Sequence, residues 1–192
     1  MRDKSNFKSV ITTGIILFLI TGIAALILGF VNDVTAPMIK KNEEAKQSAA
    51  MTAVMPEAES FKRVESGYAK NEKVADVFGA VIGEETIGYA VIVEPNGYGG
   101  AISMVVGVTK DGVVTGVDIT SQSETAGLGA NCTKDEFRNQ FKGKTEGITV
   151  VKNGAKDNQI DAMTSATVTS KAVTEGVNLA IETVKSIEGG NE

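Results

Sequence analysis

The sequence predicts an α+β protein: a twisted antiparallel sheet with helices packed against it, behind an N-terminal membrane-spanning helix. Three observations predict this. Val10 to Val31 contain no charged residue. Short β-rich runs then alternate with turn signals, Pro95-Asn96-Gly97 and Lys110-Asp111-Gly112. Near the C-terminus, Val173, Val177, Ala180, Ile181, Val184 and Ile187 recur at spacings of three and four, which makes one apolar stripe on a helix.

Composition excludes several function classes. The chain has 192 residues, room for one ordinary domain plus extras, and a net charge of -5. No basic patch with interleaved aromatics occurs, so nucleic acid is not an expected partner. With no His, a His-based triad or zinc site is impossible. The lone Cys132 cannot form an internal disulfide. Difficult chemistry would have to come from a carried cofactor.

The elements follow in order. Residues 1–9 are polar, and their Arg2, Lys4 and Lys8 assign them to the cytoplasmic side. Residues 10–31 make a helix of about 33 Å, enough to cross a bilayer. A cleaved signal peptide is disfavoured, because the apolar stretch is too long and no clear small-x-small site follows it. Thr12, Thr13, Gly14, Thr21, Gly22 and Gly29 would let a second membrane helix approach closely. Residues 32–56 read as a juxtamembrane spacer helix, with Pro37 in its first turn and a weak stripe of Ala45, Ala49 and Ala53.

An extracytoplasmic domain is expected over 57–188. Phe61–Val64, Val74–Ala80, Ile87–Val93, Ala101–Val108 and Val113–Ile119 are its meander strands. Lys134–Lys142 is a short amphipathic helix whose Phe137 and Phe141 face the core. Cys132 just before it is read as buried and inert. Ile148–Val151 is the last strand, residues 166–187 form the final helix, and the tail 188–192 frays.

Three motifs carry the chemistry. Gly97-Tyr98-Gly99-Gly100 permits close backbone approach to a planar or phosphorylated ligand, or a tight bend. Glu124-Thr125-Ala126-Gly127-Leu128-Gly129 follows the Val113–Ile119 strand as a loop. Asp161 then leads into a hydroxyl-rich run, Thr164, Ser165, Thr167, Thr169 and Ser170. Thr164 or Ser165 can cap the final helix. Thr167 falls in its first turn, where free N–H groups favour a phosphate.

Together these motifs resemble the FMN-binding domain of the RnfG and NqrC family, flavoprotein subunits of two related ion-pumping electron-transport complexes. Asp161 followed by Thr164-Ser165-Ala166-Thr167 is similar to the family's flavinylation motif, with Ser165 where Gly is usual. The Glu124–Gly129 loop is similar to the family's Glu-Thr-Pro-Gly-Leu-Gly, with Ala126 where Pro is usual. The resemblance implies FMN bound covalently to Thr167 through a phosphoester, with Thr164, Ser165 and Ala166 around it. It implies that Glu124 and Thr125 offer polar partners, that Leu128 packs on the ring, and that Gly127, Gly129, Tyr98 and Gly99 line the site. A carboxylate at Glu124 beside the ring would lower the flavin potential.

The implied role is electron relay in a ferredoxin:NAD oxidoreductase complex that moves Na⁺ or H⁺. The chain's own side chains would catalyse nothing. The implied partners are the other membrane subunits and an extracytoplasmic flavin transferase. Two alternatives stand beside this: an anchored binding or structural protein without flavin, and a flavin redox sensor outside any such complex.

Overall fold

The computed structural model describes residues 3–65, 67–68 and 71–189, with the side chains of residues 3–8 left out. The basic side chains before Val10 and the end of the tail, 190–192, therefore lie outside the described residues. The chain divides into two compact units, Met1–Ala45 and Lys46–Glu192.

The described residues of the first unit, 3–45, are all helical. Helix α1 runs over Asp3–Val54, 52 residues, with Pro37 inside it. Pro37 removes one rung of the ladder, yet no second helix begins there, contrary to the expectation from sequence. This helix is long and apolar enough to cross a membrane. Several of its threonine hydroxyls are satisfied within the helix. Thr13 donates to the Ser9 carbonyl at 2.9 Å, Thr21 to that of Leu17 at 3.0 Å and Thr35 to that of Val31 at 2.9 Å.

In the second unit, β1 (Ser60–Arg63), β2 (Val74–Ile82), β3 (Glu85–Val93), β4 (Ser103–Thr109) and β5 (Val114–Ser121) form one antiparallel sheet in sequence order. The strands alternate with a period of two, and both faces are buried. Val91, Val93, Met104, Val106 and Val108 face helix α3 (Thr167–Gly189), whose stripe of Val173, Val177, Ala180, Ile181, Val184 and Ile187 is buried as predicted.

Ala80, Ala90, Ile92 and Val105 point the other way and pack with Ala50, Met51, Val54 and Met55. The last turns of α1 are thus part of the packed domain, through a face offset from the Ala45–Ala49–Ala53 stripe. Gly107 makes room for this contact: a Cβ there would meet the Val54 carbonyl at 2.8 Å. Thr115 Oγ1 donates to that carbonyl at 2.6 Å, which satisfies an orphan acceptor at the helix end.

After β5 the chain makes a 3-10 turn (Gly129–Thr133), the short helix α2 (Asp135–Arg138) and a second 3-10 turn (Asn139–Phe141). The rings of Phe137 and Phe141 meet edge to face at 5.5 Å in the core, in the region where one continuous helix was expected. Strands β6 (Thr149–Val151) and β7 (Gln159–Asp161) pair in parallel, and no pattern in the sequence pointed to β7. Asn178 of α3 fixes this small sheet. Its Oδ1 accepts from Ile148 N–H and its Nδ2 donates to Ile148 O, both at 2.9 Å. β7 then delivers the chain to the start of α3.

Candidate functional site

The stretch between β7 and α3 is a tight turn. Ala166 N–H donates to Met163 O at 3.0 Å. Ser165 sits at the third position of this turn with φ of 61°, the position that favours glycine in a type II turn. Ser170 locks the turn from inside the helix: its Oγ accepts from Met163 N–H at 3.0 Å and donates to Ala166 O at 2.9 Å.

The helix starts at Thr167, so the buried Ala166 occupies the cap position. Alanine has no oxygen to offer the first-turn N–H groups, and neither Thr164 nor Ser165 reaches them. The capping expected from sequence is therefore corrected. The N–H groups of Thr167, Val168 and Thr169 have no hydrogen-bond partner among the described residues. The Thr167 side chain is exposed, and its hydroxyl has no partner among the described residues either.

A second turn faces the first. Leu128 N–H donates to Thr125 O at 3.1 Å, with Gly127 at the third position and φ of 76°. Ala126 takes the second position, which Pro would pre-set in such a turn. The glycines at 97 and 99 belong to a tight hairpin tip, where Gly97 N–H donates to Gly100 O at 2.8 Å.

Glu124 joins these segments. It is 8% exposed, and both carboxylate oxygens are engaged. Oε1 accepts from Gly99 N–H at 2.8 Å, and Oε2 accepts from Thr169 Oγ1 at 2.5 Å. The glycines around it serve close approach. A Cβ at Gly97 would lie 2.3 Å from Glu124 Oε1, one at Gly129 2.4 Å from Oε2, and one at Gly99 2.1 Å from Ser123 O. These glycines accommodate the buried carboxylate and its loop. Cys132 is also buried, and burial, with the Glu124 charge adding to it, pushes its thiol up to about 11.

A cleft of about 520 Å³ opens at this junction. Of the residues singled out from sequence, Tyr98, Glu124, Thr125, Leu128, Gly129, Ser165, Ala166 and Thr167 line it. Thr169, named in the sequence only as part of the hydroxyl run, lines it too, as does Val168, which was not singled out; its place one residue past Thr167 was the available signal. Thr164 and Gly127 instead line an adjoining cavity of about 440 Å³, which shares Leu128 and Ser165 with the first. Gly99 lies behind the wall, on Glu124. A larger cavity of about 730 Å³ lies between residues 71–73, 148–150 and the polar face of α3, and none of the three motifs lines it.

The cleft's surface is unusual for this domain. Beyond α1, the exposed large hydrophobic residues among those described are Ile82, Tyr98, Leu128 and Val168, and the last three line this cleft. No Lys or Arg among the described residues lines it. No group of three or more acidic or thiol side chains able to hold a metal occurs among the described residues.

Residues 97–182 match the family model of the FMN-binding domain, and residues 1–54 match that of the RnfG N-terminal region. The chain is 43% identical over 169 residues, 88% of each chain, to the G subunit of the proton-translocating ferredoxin:NAD(+) oxidoreductase complex of Clostridium ljungdahlii. The chain belongs to the RnfG/NqrC family. Another member, the G subunit of the Na(+)-translocating ferredoxin:NAD(+) oxidoreductase complex of Acetobacterium woodii, is 36% identical over 197 residues, 95% of each chain. In fold, the RnfG/NqrC-family chain is similar to the crystal structure of the C subunit of the Na(+)-translocating NADH-quinone reductase from Parabacteroides distasonis. That likeness has a TM-score of 0.56 at 22% identity and covers 77% of this chain and 92% of that one.

The residues present fit FMN. The cleft volume suits a ligand of that size. Uncapped helix N–H groups are matched to a phosphate. Tyr98, Leu128 and Val168 offer apolar surface to a flat aromatic ring.

Proposed function

We propose that this protein is the electron-carrier subunit of a membrane ion-translocating ferredoxin:NAD oxidoreductase complex, and that it carries FMN as a phosphoester on Thr167. The relatives' names support the complex. The observation that carries the attachment point is the Thr167 hydroxyl, exposed and unpartnered among the described residues at the uncapped start of α3, in a cleft with an apolar rim.

The other hydroxyls of the run are less suited. Thr169 Oγ1 is buried and donates to Glu124, and Ser170 Oγ is buried between Met163 and Ala166. Thr164 lies outside the cleft. Ser165 precedes the helix, in the turn.

Attachment replaces the Thr167 Oγ1–H bond by an Oγ1–P bond. An activated flavin phosphate donor on an extracytoplasmic transferase loses its leaving group, which takes up the proton. With no Lys or Arg among the described lining residues, the phosphate has backbone N–H groups and hydroxyls as partners there, and a covalent tether holds it without a side-chain cation. FMN, when bound, supplies the one- and two-electron chemistry. The chain's residues bind and orient it, and the other membrane subunits deliver and remove electrons. The basic residues before Val10 support a cytoplasmic N-terminus, which puts the domain on the transferase's side.

The test is peptide mass mapping of the protein coexpressed with a flavin transferase and exported. FMN less one water is expected on the peptide at Thr167, and Thr167→Ala should abolish it. The same modification found only on Thr164, Ser165 or Thr169 would refute the assignment.

A further inference from the structure

We infer that Thr169 and Glu124 form a buried clip that holds the first turn of α3 in place and so presents the Thr167 hydroxyl for attachment. The inference rests on Thr167 being the attachment point. It makes Glu124 and Thr169 positioning residues for that reaction.

The direction of the Thr169 hydroxyl is the first observation. Thr174 and Thr183, further along α3, donate to the carbonyls four residues back, Ser170 O and Leu179 O, each at 2.8 Å. Thr169 sends its hydroxyl across the cleft wall to Glu124, far away in sequence. A buried carboxylate is stable only when its oxygens are hydrogen-bonded. Glu124 meets that requirement with one donor from α3 and one from the hairpin tip, Gly99 N–H.

The second observation is the lack of slack around the carboxylate. Gly97 and Gly129 bring backbone close to its two oxygens, where a Cβ would lie 2.3 and 2.4 Å away, so a side chain at either position would displace the carboxylate. The clip therefore fixes the distance between Tyr98, one residue before Gly99, and the turn that carries Thr167 and Val168.

The third is the scarcity of other restraints on this turn. The first-turn N–H groups have no cap, Thr167 and Val168 are exposed, and Ser165 sits in a left-handed conformation that costs a non-glycine residue energy. Two side-chain ties hold the segment among the described residues. Ser170 closes the turn onto itself, and Thr169 ties it to the opposite wall.

The experiment uses the full chain coexpressed with an exported flavin transferase. The covalently flavinylated fraction is followed over time by intact mass, and amide exchange at residues 170–173, the first hydrogen-bonded N–H groups of α3, is measured alongside. Thr169→Val should slow flavinylation about tenfold and speed exchange at residues 170–173 by a similar factor. Thr169→Ser, which keeps the hydroxyl, should restore both to within about threefold of wild type. A purely structural role would lower stability without changing the rate in the folded fraction.

Wild-type rates of flavinylation in Thr169→Val would overturn the clip, as would a Thr169→Ser protein as slow as the valine variant. If Thr169→Val fails to fold because it strands a buried charge, Thr169→Val with Glu124→Gln removes the charge and still lacks the bond. That pair must also be slow, and a wild-type rate in it overturns the clip. If the wild-type protein itself carries no flavin on Thr167, the attachment reading fails. The exchange rates alone then decide the clip: unchanged exchange in Thr169→Val refutes it.

Discussion

Replacing Ser165 by glycine should stabilise the domain. Ser165 holds φ of 61° at the third position of the Met163–Ala166 turn, where a side chain crowds the backbone. The left-handed conformation costs an L-residue about 1–2 kcal/mol. Glycine removes that cost but frees the unfolded chain, which returns about 0.4–1 kcal/mol. The balance is a stabilisation of about 0.5–1 kcal/mol. For a domain of this size that raises the melting temperature by about 1–4 °C. Calorimetry on the full chain in one fixed detergent measures it. Ser165→Ala is the control, since it removes the hydroxyl and keeps the strained backbone, and it should stay within about 0.5 kcal/mol of wild type. Equal melting temperatures for the glycine and alanine variants, or a lower one for glycine, would show that the turn is not strained in the way its dihedral implies.

Two further outcomes are expected. Cys132 should resist alkylation by iodoacetamide at pH 8 in the folded protein and react quickly once unfolded, because burial holds its thiol up at about 11 against an ordinary 9.0. The unfolded thiol loses its proton first, so the stability this group lends is full below about pH 9 and is lost as pH rises through about 11; rapid native labelling at pH 8 would contradict this. A reporter fused after the last residue should be active only in a form that works outside the cytoplasm, and activity of a cytoplasm-only reporter there would reverse the proposed topology.

Much of the fold was legible because its periods are strong. The stripe from Val173 to Ile187 could only be a helix face, and the hairpin signal at Lys110-Asp111-Gly112 fixed β4 against β5. The end of α1 was not legible. Its buried face is short, Ala50, Met51 and Val54, and it follows a polar stretch that reads as a spacer. Gly107, which receives that face, looks in the sequence like a flaw in a strand. β7 was missed because a strand of Gln159, Ile160 and Asp161 has one apolar residue and pairs in parallel with β6 just before it, where parallel pairing ordinarily needs a longer crossover. The cap was misread because Thr164 and Ser165 are good capping residues that the turn at 163–166 holds one step too early.

The convergence of three separated motifs on one cleft follows from the meander. In an antiparallel sheet ordered β3-β4-β5, the connection after β3 and the exit from β5 lie at the same end. The register fixes this: Val93, the last residue of β3, pairs with Met104, and Ser103 at the start of β4 pairs with Ser121, the last residue of β5. The Gly97–Gly100 hairpin tip and the Glu124–Gly129 loop are therefore neighbours by topology. Helix α3 begins at that same end, since Gly176 packs against Pro95 and Met104 while Glu188, near the helix C-terminus, accepts from Tyr89 at 2.5 Å, midway back along β3. What topology cannot supply is the fine spacing between the three segments. Sheet pairing sets it only to within a residue's rise of about 3.4 Å, too coarse for a site that must present one hydroxyl beside one apolar rim. The buried Glu124 carboxylate, with a donor from each flanking segment, sets the remainder. That is why the loop and the hydroxyl run could be read from sequence as neighbours while the tie between them could not. The charge of Glu124 was visible in the sequence, but its partner Thr169 was not.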